Sequence, residues 1–125
     1  MAKRKAPLRQ PRRKHRGASR TARARPELPK DALTRIVICR AREGQEALLE
    51  AELRALVAPT RKEEGCLRYE LHRGADLPSV FLLHEVWASR EHHRRHTLTP
   101  HFVRWNARKD ALLASRDASF WRKVA

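Results

Sequence analysis

Three residues in one short stretch carry groups that could do chemistry together. The stretch Val80 to Phe102 reads VFLLHEVWASREHHRRHTLTPHF, and it holds Glu85, Trp87 and His96. A carboxylate and an indole two apart on a strand point to the same face, because strand side chains alternate with period two. His96 lies on the helical segment that follows directly, so an acid, a large aromatic and an imidazole reach one pocket. Imidazole titrates near neutrality, which suits His96 to act as a general base. Glu85 then orients that histidine or binds a substrate hydroxyl. Structural roles compete with each reading. His96 bonded to Glu85 could simply hold the helix, Glu85 could pair with Arg68, and Trp87 could be core or interface packing. His72, His84 and His101 either line the same pocket or sit on the surface.

Metal binding is not expected. His92 and His96 stand at i and i+4, a spacing that can put two imidazoles on one ion. No cysteine or carboxylate supports them at a useful spacing, and Arg94 and Arg95 between them repel a cation. Cys39 and Cys66 form neither a CxxC pair nor a disulfide framework and read as reduced thiols, Cys66 as a small buried residue and not a nucleophile.

The elements that must position these groups follow from periodicity. Leu33 to Ala41 (LTRIVICRA) contains a β-branched run and reads as a buried strand. Gln45 to Arg61 places Leu49, Leu53, Leu56 and Thr60 on one face of an amphipathic helix, with Pro59 in its last turn and Gly65 as a stop. Cys66 to Arg73 is a second strand, with Leu67, Tyr69 and Leu71 on one face and Cys66 on the other. The loop Gly74 to Ser79 makes a hairpin into Val80 to Trp87, where Phe81, Leu83, Glu85 and Trp87 share a face. Thr99 caps a helix that has Pro100 at its first position and Phe102, Trp105, Leu112 and Leu113 on its apolar side. Ser119 to Val124 closes as a last strand. The order β-α-β-β-α-β is the split βαβ of an α+β ferredoxin-like sandwich. Both helices cover one sheet face, so the other calls for a second copy: a homodimer.

The charge is uneven. Residues 1 to 30 hold twelve Lys or Arg against one acid, Glu27, for +11 of the chain's +15. With so few large apolar side chains that segment cannot offset the entropy of ordering, so residues 1–32 read as a disordered basic tail and 33–125 as the domain. An arm of this charge suits nonspecific binding to polyanions through phosphate neutralisation. It has no aromatic residue for base stacking. No apolar run is long enough for a transmembrane segment, and Arg12-Arg13 lacks the apolar region of an export signal. The expectation is a cytoplasmic protein.

With these pieces in place, the chain from about Leu33 resembles the antibiotic biosynthesis monooxygenase family, near its quinol-monooxygenase-like members. The matching segments are Glu64 to His72 (EGCLRYELH), Phe81 to Trp87 (FLLHEVW), His96, and Thr99 to Phe102 (TPHF). The resemblance implies a dimeric α+β barrel and oxidation of quinols or related electron-rich aromatics by O₂, with neither metal nor flavin as cofactor. Glu85, Trp87 and His96 match the family's characteristic positions; Gly65, Tyr69 and Phe102 match less diagnostic ones, the last two as substrate contacts. Haem-degrading relatives use an asparagine on the first strand, where this chain has Thr34 to Cys39 (TRIVIC) and no Asn. An isomerase, or a non-catalytic dimer binding a small ligand, is the competing reading.

Overall fold

The computed structural model describes residues 27–125, so most of the basic tail lies outside the described residues. The element order is β1 (Leu33–Ala41), α1 (Glu46–Arg61), β2 (Cys66–Arg73), β3 (Val80–Trp87), α2 (Arg90–His96), α3 (Pro100–Leu112) and β4 (Leu113–Trp121). The four strands form one antiparallel sheet in the order β2-β3-β1-β4. This is the ferredoxin-like α+β arrangement, with β3 inserted between β1 and β2.

The helices cover one sheet face. Leu49, Leu53, Leu56 and Thr60 of α1 are buried against it, as their spacing requires. They meet Val37, Cys39, Phe81, Leu83 and Trp87 from the sheet and Trp105 and Leu112 from α3. The opposite face stands open in the single chain. It carries Ile36, Leu82 and Val86, with Ile38 and Trp121 exposed at 41% and 57%.

Two local expectations are corrected. Leu113 does not continue the apolar side of α3; it starts β4, which runs to Trp121 and not from Ser119 to Val124. The cause is a tertiary cap. Arg42, just past β1, donates from Nε to the Leu113 carbonyl (3.0 Å) and from Nη2 to the Asp110 carbonyl (2.8 Å). Its own backbone N–H donates to the Leu112 carbonyl. The second correction concerns Cys66. The β2–β3 register shifts between Cys66 and Arg68, so Leu67 is an extra residue and Cys66 pairs with Trp87 on the helix-covered face. Among the described residues, no helix is long and apolar enough to cross a membrane.

Candidate active site

Strand register builds the floor of the site. Tyr69 pairs with Glu85, Glu85 with Arg35, and Arg35 with Phe120. Directly paired residues project to the same side, so a phenol, a carboxyl, a guanidinium and a phenyl ring form one row across the helix-covered face. Trp87 lies in the next row, paired with Cys66 and Leu33.

Helix α2 supplies the roof. Ser89 caps it, accepting from the His92 backbone N–H and lying 2.7 Å from His92 Nδ1. His96 is buried at the other end, its ring centroid 4.8 Å from Trp87, 4.9 Å from Phe102 and 5.8 Å from Tyr69. His93 stands between His96 (5.9 Å) and Phe120 (5.0 Å, edge-on). Thr99 Oγ1 donates to the His96 carbonyl and caps α3, tying the two helices together.

The partner of His96 is Glu63, not Glu85. Glu63 Oε2 lies 2.7 Å from His96 Nδ1 and 2.7 Å from His101 Nε2. The turn after α1 places it: the Glu63 N–H donates to the Thr60 carbonyl, and its own carbonyl accepts from Cys66 N. Glu85 instead accepts from Trp87 Nε1 at 2.9 Å. Arg68, the other partner considered for Glu85, lies across the sheet and reaches Glu70 at 3.7 Å.

Burial sets the electrostatics. It pushes the Glu85 carboxyl up to about 7, against the opposing effects of the Trp87 bond and the nearby Arg35 charge. It lowers His96 below the usual imidazole range, although the Glu63 bond works the other way. Burial also brings His93 down to about 4 and holds the Tyr69 phenol well above its ordinary value. Cys66 is pushed up to about 11, so its thiol is no nucleophile at neutral pH. With burial favouring the neutral ring, an Nδ1–H donated to Glu63 Oε2 leaves Nε2 as the unprotonated acceptor, the tautomer a base needs.

Of the residues singled out from the sequence, the fold gathers Glu85, Trp87, His96, Tyr69, Phe102 and His101 at this junction. His72 and His84 stand on the open sheet face, and His72 lies 3.5 Å from Glu70. Glu63, Arg35, His93 and Phe120 were missed. Glu63, His96 and His101 also offer three ligand-type atoms within 4.8 Å of one another, so a divalent cation would find its donors here and not at His92 and His96.

Access is graded along the row. Tyr69, Glu85, Trp87 and His96 are buried, whereas Arg35, His93 and Phe120 are half-buried and Arg90 is exposed. The site therefore meets solvent at the Arg35–Phe120 end and again beside α3, where Glu63, His101 and Phe102 are half-buried. A depression of about 320 Å³ lies elsewhere, between the exposed side of α1 and β2, lined by Arg54, Val57, Leu71 and Phe81 among others.

Fold and site together define a ferredoxin-like α+β protein with an imidazole–carboxylate cluster where the sheet meets α2. The sequence profile of the family described as antibiotic biosynthesis monooxygenase matches residues 33–108, more than half of the chain. The chain belongs to that family. It is 35% identical over 72 residues to a Mycobacterium tuberculosis protein named putative monooxygenase Rv0793, covering 58% of this chain and 70% of that one. The crystal structure of PA3566 from Pseudomonas aeruginosa superimposes with a TM-score of 0.74 at 38% identity, over 76% of this chain and 96% of that one. The structure of the M. tuberculosis protein gives 0.72 at 27% identity, over 76% and 97%.

Proposed function

We propose that the protein is a cofactor-independent monooxygenase that oxidises a quinol or related electron-rich aromatic with O₂. The observation that carries this reading is the buried His96, held by Glu63 in the tautomer of a base and ringed by Trp87, Phe102 and Tyr69.

His96 Nε2 takes a proton from a substrate hydroxyl, and the phenolate becomes electron-rich enough to reduce O₂ directly. The imidazolium so formed is stabilised by the Glu63 carboxylate, and half-buried His101 on the same oxygen leads the proton toward solvent. A C–O bond forms at a ring carbon to give a hydroperoxide. Loss of that carbon's proton breaks the O–O bond, expels water and leaves a carbonyl. Hydroquinone plus O₂ thus yields hydroxybenzoquinone plus water, with all four electrons coming from the substrate. Glu85, near neutrality in its titration, exchanges a proton with the second oxygen of the ring.

The same reading pairs two chains through the open sheet face, which carries the exposed Ile38 and Trp121. Tail binding to polyanions is a separable activity supported by the charge of residues 1–30. Turnover under labelled dioxygen tests the chemistry. Hydroxybenzoquinone carrying one labelled oxygen, with the other in water, supports it. Unlabelled quinone with hydrogen peroxide would mark an oxidase, and no product would favour an isomerase or a ligand-binding dimer.

A further inference from the structure

We propose that Arg35 and Arg90, stacked against Phe120 at the open end of the row, form a subsite for the carboxylate of an aromatic acid. The substrate is then an anionic arene, not a neutral one. This rests on the reading that the row beneath His96 receives the substrate.

Arg35 Cζ lies 4.6 Å from the Phe120 ring centroid, and Arg90 Cζ lies 4.5 Å from the same centroid. Two like charges thus share one ring, which favours each cation but does not relieve their mutual repulsion. Among the described residues neither guanidinium makes an ion pair or a side-chain hydrogen bond, and Arg35, unlike the exposed Arg40, Arg104 and Arg122 that share this lack, is half-buried. Arg116, on the same face of β4, likewise has no ion pair among them.

Arg35 is the telling member. It is half-buried, and desolvation lowers its pKa. Its cross-strand neighbour Glu85 is the only carboxylate in the row, and that group already accepts from Trp87. Glu85 supplies Arg35 with only part of a counter-charge, because its carboxyl is engaged by Trp87, and a planar carboxylate beside Arg35 and Arg90 would complete it through the fork geometry of arginine. The Phe120 ring, which both guanidiniums face and His93 meets edge-on, provides an aromatic wall beside that carboxylate. A ring anchored there extends along the row toward Glu85, Tyr69 and His96, the groups assigned to the chemistry.

Calorimetric titration without O₂ tests this on the full chain, using 2,5-dihydroxybenzoate, its methyl ester and hydroquinone sulfonate. The acid should bind about tenfold or more tighter than the ester, as a charge-assisted pair predicts. The preference should shrink toward parity in Arg90→Gln and in Arg35→Gln. Arg90 is exposed, so that variant keeps the fold even if Arg35→Gln does not. Equal binding of acid and ester, or a preference that survives in Arg90→Gln and in folded Arg35→Gln, overturns the proposal. Tighter binding of the sulfonate overturns the choice of carboxylate. Acid preference without O₂ turnover would leave this subsite standing and remove the oxygenase reading. Turnover of neutral quinols with no acid preference would do the reverse.

Discussion

The Glu63 carboxylate meets the buried His96 ring at 2.7 Å across thirty-three positions of sequence, from the turn after α1 to the last residue of α2. That contact fixes which nitrogen of His96 is left to act. A second imidazole, His101, reaches the same carboxylate oxygen from α3. Three elements thus converge on one oxygen, and the chemistry assigned to His96 depends on it.

Glu63→Gln should lower kcat by about a hundredfold, within the range for disturbed general-base catalysis. The pH profile should move as well. Glu63 favours the charged form of His96, so its removal lowers the histidine's pKa further, and the acid limb of the rate profile shifts to lower pH. A reduced rate with an unmoved limb would make Glu63 merely structural.

Glu85 links stability to pH. Its carboxyl is raised from 4.5 to about 7 in the folded protein, so folding holds its proton. The contribution is full below about pH 4.5 and is lost as pH rises through 7. At about 1.4 kcal/mol per pH unit of displacement, ionising it costs on the order of 3 kcal/mol. Glu85→Gln keeps an acceptor for Trp87 Nε1 and cannot ionise. Urea denaturation should find the two proteins alike at pH 4.5 and the variant more stable at pH 8. A gap independent of pH would refute the assignment.

Gly65 sits at φ +80°, and a Cβ there would collide with the His92 ring. Gly65→Ala should therefore cost on the order of 2 kcal/mol in strain and push α2 away from the sheet. Because α2 carries His93 and His96, activity should fall with stability, as thermal melts and rate measurements on one preparation would show.

Ile38 lies on the open sheet face and is 41% exposed in the single chain. Ile38→Glu should convert the proposed dimer to a monomer in light scattering. Leu48→Glu, at an exposed position on α1, should leave the mass unchanged.

Much of this fold was legible because its pattern is local. Leu49, Leu53, Leu56 and Thr60 fall on one helical face by spacing alone, and the alternation Phe81, Leu83, Glu85, Trp87 gave the buried side of β3. The misses share a cause: each depends on contacts distant in sequence. Leu113 leaves α3 because Arg42, some seventy positions earlier, caps that end. Cys66 changes face because Leu67 bulges, a register event that no period-two count detects. Glu63 lies in a turn and looks like one more surface acid until the chain folds back on it. Pairing the strands would have found Arg35 and Phe120, since both stand in register with Glu85 once β1 is set between β3 and β4.

The most direct measurement is oxygen consumption by the metal-stripped protein with a panel of hydroquinones and dihydroxybenzoates, beside His96→Gln. Turnover should persist without metal and drop by about a hundredfold or more in the variant. Turnover that vanishes on stripping and returns with a divalent cation would contradict cofactor independence, and would assign Glu63, His96 and His101 to the metal instead.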